Sequence, residues 1–376
     1  MTLYTIAPHR KFLRTLAENV GNGVLLSGWD RSKPFWLSDI TIIVPTRRAR
    51  FALAEEFAQL EIGRGLLPDI RTFGGESADE EPFLPPHDAP ILPEAASSVE
   101  RRLVLSRLVA AWAHSADGQQ AFSTPPTAGE ILGMAESLGT LIDDLAIEER
   151  SPSDLRALGP ALGPELGAYW QQTLAFLDIA LTYWPHYLAG RNRADVSDLR
   201  NKRLDRQADA APLIYGDRPV IAAGSTGSIP ATARLLGAIH RLPRGAIVLP
   251  GFDTGLTPQN HVDLLDDGKN PHGHPQYGLA RLLRALGAGV GDVVELGETG
   301  NDRTTMVRRA LALTDDTAHW VEQRLDETAL ERASSGLSII QARNEDEEAR
   351  AIALAARQAL AERQSVGIVT PDRNLA

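Results

Sequence analysis

Two stretches of the chain carry residue types in an order that could do chemistry. "VIAAGSTGSIPATARLL", from Val220, sets small and β-branched apolar residues before glycines, hydroxyls, a proline and a helical run. A phosphate-binding loop is built in that order: glycine-rich backbone amides cradle phosphates, a Lys reaches the outer ones, and Ser or Thr holds magnesium. Gly224, Ser225 and Gly227 would supply the frame, but no Lys occurs before Arg234. Pro230 suits a first helical turn and Ser228 an N-cap, so a tight strand-to-helix turn, with weak anion binding at most, competes with the nucleotide reading. The second stretch, "PTRRAR", places Thr46 as an N-cap with Arg47, Arg48 and Arg50 around the first turn of a helix. Cations there oppose the helix dipole, and a phosphate backbone would relieve the mismatch. The competing reading is an ordinary solvated or salt-bridged arginine cluster. "GIVTPDRNLA" repeats the pattern with Thr370 and Arg373.

Other candidates are weaker. The turn in "LYTIAPHRKFLRTL" has no glycine to wrap a triphosphate, although Lys11 could meet a phosphate as a point charge. His261, Asp263, His272 and His274 lack a regular ligand spacing, which argues against zinc. "NEDEEARAIALAARQAL" reads as a helix start, with Asn344 as N-cap and Glu347 and Glu348 matching the dipole. Neither a G-x-S-x-G elbow nor a complete Rossmann fingerprint is present.

The elements that must position these residues alternate. Short β-branched runs begin at Leu3, Ile40, Val220, Ala246, Leu337 and Val366, each tied to an amphipathic helix. Such alternation predicts a parallel sheet covered on both faces, with ligands at the carboxyl ends of its strands. Between about Pro93 and Ala210 the period becomes helical: Leu105, Leu108, Val109 and Trp112; Ile131, Met134, Leu138, Leu141, Ile142 and Leu145; then Trp170, Leu174, Leu177 and Leu181, ending near "YWPHYL". This is a helical insertion, entered by the exposed loop "SADEEPFLPPHDAPILPEAASS" and left through the mixed-charge stretch "RNRADVSDLRNKRLDRQADAAP". "LGETGNDRTTMVRR" marks the approach to another domain, and a strand-helix-strand series from Leu337 stops a few residues past a strand at Ala376, so the chain reads as the front part of something longer.

The 376 residues allow two or three domains, and 43 % apolar with 23 % charged residues exclude wholesale disorder. A net charge of -11 argues against coating nucleic acid through bulk charge but leaves room for a local basic groove. With no cysteine, disulfides, thiolate zinc sites, iron-sulfur clusters and cysteine nucleophiles are excluded from these residues. No signal-type apolar run and no stretch of the ~18 residues needed to cross a bilayer is present, which leads us to expect a soluble, cytoplasmic protein.

Taken together, "VIAAGSTGSIPATARLLGAIHRLPRGAIVLPGFD", "HPQYGLARLL", "TIIVPTRRAR" with "LLPDIRTFGG", "YWPHYLAGRNRAD" and "EEARAIALAARQAL...VGIVTPDRNLA" closely resemble the N-terminal part of the AddB family, in order and over essentially the whole chain. AddB is the second subunit of the bacterial AddAB helicase-nuclease, which processes double-strand DNA breaks for recombinational repair. The resemblance implies a degenerate superfamily 1 helicase: a RecA-like domain from 1–92 and 211–330, a helical insertion from 93–210, and the start of a second RecA-like domain from 331–376. It puts "IAPHRKF" with Lys11 where the P-loop should be, Gly224, Ser225 and Gly227 where the magnesium-binding Asp-Glu pair should be, and Asp253 as the survivor of the following motif. It makes Thr46, Arg47, Arg48 and Arg50 contacts to single-stranded DNA, with Thr370 and Arg373 as their counterparts in the second domain. The implied partners are DNA, at a single strand or duplex end, and an AddA-like helicase-nuclease subunit; the family's complex can scan a strand for a recombination hotspot. The family's iron-sulfur cluster and magnesium belong to a C-terminal nuclease domain that these residues do not include. The reading from another class is a small-molecule α/β enzyme, an NTPase or phosphosugar-binding protein, using the loop from Gly224 to Ser228.

Overall fold

The computed structural model describes residues 2–60, 62, 66–74, 92–122, 124–157, 164–269, 271–297, 300–322 and 324–371. Arg373, the side chain of Trp170 and most of the acidic, proline-rich stretch that precedes the insertion lie outside the described residues. The chain divides into two compact units, Met1–Gly300 and Asn301–Ala376.

The first unit opens with β1 (Leu3–Ile6), α1 (Phe12–Gly21), β2 (Thr41–Val44), α2 (Arg47–Gln59) and β3 (Asp69–Thr72). After the insertion it resumes with further strands and helices. The insertion holds the short strand β4 (Glu94–Ala95), α3 (Ser98–Ala113), α4 (Ala116–Ala121), α5 (Ala128–Ile147), α6 (Pro152–Arg156), α7 (Pro164–Ala189) and β5 (Arg193–Ala194). The long helix α8 (Val196–Tyr215) leads back to β6 (Val220–Ala223), α9 (Pro230–His240), β7 (Gly245–Pro250), α10 (Pro258–Asp263), α11 (Tyr277–Leu286) and β8 (Val293–Glu295).

Six strands pair in the order β3-β2-β6-β7-β1-β8, every pairing parallel. The sheet is flanked by helices on both faces, which is the α/β architecture of a RecA-like domain. Val220, Ile221, Ala222 and Ala223 are all buried, as a central strand with two covered faces requires. Alternate residues feed two cores: Ile221 and Ala223 pack with Leu16, Leu53 and Phe57 of α1 and α2, while Val220 and Ala222 pack with Leu204, Leu235 and Leu282 of α8, α9 and α11.

In the insertion, Leu105, Val109, Leu138, Ile142, Leu177 and Trp184 form a third core, as the helical spacing predicts. The helix of Leu174 and Leu177 ends just past "YWPHYL", as expected: α7 runs through Pro185 to Ala189. Proline loses only one backbone bond there, and buried Trp184 and Leu188 on either side hold the helix in the core. The mixed-charge exit stretch is mostly helical. Its mixed charge is that of helix α8, whose exposed side carries the i,i+4 pair Asp198–Lys202 while Leu199, Leu204, Ala211 and Tyr215 are buried. A polar knot fixes its start: Asp195 accepts from Trp184 Nε1 at 2.8 Å, and Arg101 Nη1 donates to both carboxylate oxygens of Asp143 at 3.0 and 2.9 Å.

The second unit contains α12 (Asp302–Ala310), α13 (Glu327–Ser334) and α14 (Glu345–Ala361). Asn344 caps α14 by accepting from the Glu347 amide at 2.9 Å, as its sequence position predicts. The strands expected from Leu337 and Val366 are not formed. A strand exists only by pairing, neither segment has a ladder partner among the described residues, and Ile339 and Val369 are each 97 % exposed.

Candidate functional site

Connections leave β2 toward β3 and leave β6 toward β7, in opposite directions across the sheet. The two strands are neighbours, so the turns that follow them lie side by side at the carboxyl edge, the edge where open α/β sheets bind ligands.

Thr46 occupies the N-cap of α2, and its hydroxyl accepts from the Ala49 amide at 3.1 Å. No acid stands in the first turn of α2. Arg47 and Arg48 are exposed and Arg50 is half-buried. Arg48 has no ion-pair partner among the described residues. The guanidiniums of Arg47 and Arg50 lie 5.6 and 5.3 Å from the ring centre of Phe51, a phenylalanine left 54 % exposed. The sequence reading omitted Phe51, although its signal was available: Arg47 and Phe51 are one helical turn apart and therefore neighbours on the surface of α2. Two cations around an exposed aromatic face make a platform that can stack a base and neutralise its phosphate.

Beside it, Gly224 adopts a positive φ of 81°, and a methyl group added to it would meet the rings of Phe12 and Pro45 at 3.4 Å. The turns after β1, β2 and β6 thus close on one another around Gly224. Gly227 also has a positive φ, 61°, and an added methyl would press within 2.7 Å of Leu282 on α11. Both glycines are explained by close packing. Ser225 accepts from the Gly227 amide at 3.2 Å, which binds the loop to itself. Ser228 is not the N-cap of α9: Ile229 takes that position with no side-chain cap, and Pro230 follows at the first turn. The proline fixes the helix start one residue later than the hydroxyl would.

Lys11 holds the N-cap position of α1, exposed, with its own side chain making no cap. Asp253 follows β7, and its carboxylate accepts from the Gly255 amide at 2.9 Å while its amide donates to Gln276 Oε1 at 3.1 Å. Gln276 Nε2 in turn donates to the Gly251 carbonyl at 3.0 Å. Buried Thr5 accepts from the Phe252 amide at 2.9 Å and stitches the end of β1 to the same turn. The carboxylate at 253 therefore shapes its loop. Asp263 pairs with Lys269 at 3.0 Å and accepts from Gln259, and His272 lies edge-on to Tyr277. Among the described residues no three His, Cys, Asp or Glu side chains come together as a metal-ligand group.

The second arginine turn is reached only in part. Thr370 is half-buried outside regular secondary structure in the second unit, and Arg373 lies outside the described residues. Among the described residues no helix is long and apolar enough to cross a membrane. No protein-family model matches the chain, and no curated protein matches it.

Proposed function

We propose that the first unit is a helicase-shaped scaffold that does not hydrolyse nucleotide and grips a DNA strand at the carboxyl edge of its sheet. The observation that carries this reading is the platform at the start of α2: Phe51, half-exposed, with Arg47 and Arg50 around its ring and Thr46 and Arg48 beside it. Hydroxyl, guanidiniums and an aromatic face suit a single strand, whose phosphates and unstacked bases are both accessible. The chain's net charge of -11 leaves such a contact local.

The phosphate-loop reading finds less support. Gly224 is packed against Phe12 and Pro45, Gly227 against Leu282, and no Lys precedes Arg234 in the loop. The end of β6 carries Ala223, Gly224 and Ser225 in place of carboxylates for magnesium, and the Asp253 carboxylate is engaged within its own turn. Nor can a chain without cysteine hold a cysteine-ligated cluster.

With the resemblance to the AddB family, we assign the chain to the N-terminal region of an AddB-type subunit, working in the cytoplasm with an AddA-type helicase on double-strand breaks. The partner would supply ATP-driven unwinding, and this chain the strand grip and the scaffold. Fluorescence anisotropy with a labelled oligothymidine tests the grip. The account expects salt-sensitive binding that weakens at least about tenfold in the Thr46→Ala, Arg47→Ala, Arg48→Ala variant. Unchanged binding by that variant removes the proposed contact, and magnesium-dependent ATP hydrolysis lost on mutating Gly224 to Ser228 would favour the small-molecule enzyme instead.

A further inference from the structure

A second cluster of cations and aromatic rings lies at the other end of the strands. The connection from α1 to β2 carries "GWDRSKPFW" from Gly28 and leads into the amino end of β2 at Thr41, while Arg244 stands one residue before β7. Trp29 and Trp36 are half-buried, and Trp29 Nε1 donates to the Trp36 carbonyl at 3.3 Å, which ties the loop together. Lys33 and Arg244 lie 5.9 and 5.7 Å from the ring centre of Trp29, and Arg31 lies 5.9 Å from that of Trp36. Phe35, next to Trp36 in the chain, is 59 % exposed.

The three cations are held by rings and carbonyls. Arg31 donates to the Gly21 carbonyl and packs so closely over Gly23 that an added methyl group would lie 2.7 Å from its guanidinium carbon. Arg244 Nη1 donates to the Asp217 carbonyl at 2.9 Å. None of the three has a salt bridge to a carboxylate among the described residues. Of the carboxylates nearby, Asp30 is turned into its own loop, accepting from the Ser32 amide and hydroxyl at 3.0 and 2.6 Å; Asp39 is half-buried and Asp217 exposed. Helix C-termini attract cations, which accounts for Arg31 at the end of α1. That attraction does not account for Lys33, or for a phenylalanine left in solvent beside two tryptophans.

We infer that this amino-edge surface binds a single nucleic-acid strand, at a place separate from the α2 platform. Phe35 stacks a base, and Arg31, Lys33 and Arg244 meet the phosphates beside it. Cations around an aromatic face suit a strand of any sequence, because every base offers a π-face next to a phosphate. An acidic peptide would match the cations but leave Phe35 without a flat partner. The surface stands on its own contacts and does not depend on the strand grip proposed for α2.

Photocrosslinking of the full chain to oligothymidine, with the crosslinked peptides mapped by mass spectrometry, tests the inference. The peptide that holds Phe35 should carry a crosslink, and it should keep it in the Thr46→Ala, Arg47→Ala, Arg48→Ala variant. In that variant the residual oligothymidine binding should fall at least about fivefold when Lys33→Ala and Phe35→Ala are added, with thermal melts checking that the chain folds. Oligouridine that crosslinks there more strongly than oligothymidine would identify RNA as the source of the strand, and the reverse would identify DNA. No crosslink on that peptide in the wild type, or residual binding that Lys33→Ala and Phe35→Ala leave unchanged, overturns the surface and leaves the α2 grip standing. Polyglutamate that binds more tightly than oligothymidine and is weakened by the same two substitutions would also overturn it, in favour of an acidic protein segment.

Discussion

Phe51 is solvent-exposed on a helix whose other large apolar side chains, Leu53 and Phe57, are fully buried. Removing it costs the fold little apolar burial, so a loss in Phe51→Ala would report on binding. Stacking of one base is worth about 1–3 kcal/mol. Phe51→Ala should therefore weaken oligothymidine binding by roughly five-fold to a hundred-fold while leaving the melting temperature nearly unchanged, and Phe51→Trp should preserve binding. Gly227 makes the opposite case. Its φ of 61° and the 2.7 Å approach to Leu282 penalise any side chain, so Gly227→Ala should destabilise the first unit by about 1–3 kcal/mol, read from urea unfolding. The glycines that first looked like a phosphate cradle are packing residues at this scale.

Helices α8 and α9 join the insertion to the sheet, and one small network holds the joint. Arg234 of α9 donates to Glu149, just past α5, and to Asp205 of α8, while Asn201 donates to the Ala146 carbonyl at 2.7 Å. The Arg234 hydrogen bond holds the Glu149 carboxyl below its ordinary value of 4.5. A depressed carboxyl contributes stability that is present above that ordinary value and is lost as pH falls below it and through the depressed one. Both side chains are more than a third exposed, so the effect is screened to no more than about 1 kcal/mol. Glu149→Gln should lower the melting temperature by a few degrees at most at pH 7, and the difference from wild type should shrink as pH falls below 4.5. At this scale the sequence was readable where period and burial agreed, as in β6, whose four buried residues match a continuous apolar run, and in α2, whose Thr46 cap was legible from its position. It misled where local composition was ambiguous. The apolar runs at Leu337 and Val366 look like strands because pairing partners are not written locally. Phe51 carries a weaker signal, its place one helical turn after Arg47.

For the whole first unit, the parallel sheet sets two kinds of surface. Its carboxyl edge gathers the turns after β1, β2 and β6, with cations on the β1 and β2 turns and a closed, packed loop after β6. Its amino edge carries the cluster around Trp29 and Trp36. An acidic chain with local cationic surfaces should bind a strand through few phosphates, which fixes how the affinity depends on salt. The decisive measurement is therefore the slope of log affinity against log salt for oligothymidine binding, taken for the wild type and for Arg47→Ala, Arg48→Ala. The account predicts a negative wild-type slope that becomes shallower by about 0.7 for each phosphate contact removed, with affinity falling in parallel. A slope and affinity identical in the two proteins would contradict it.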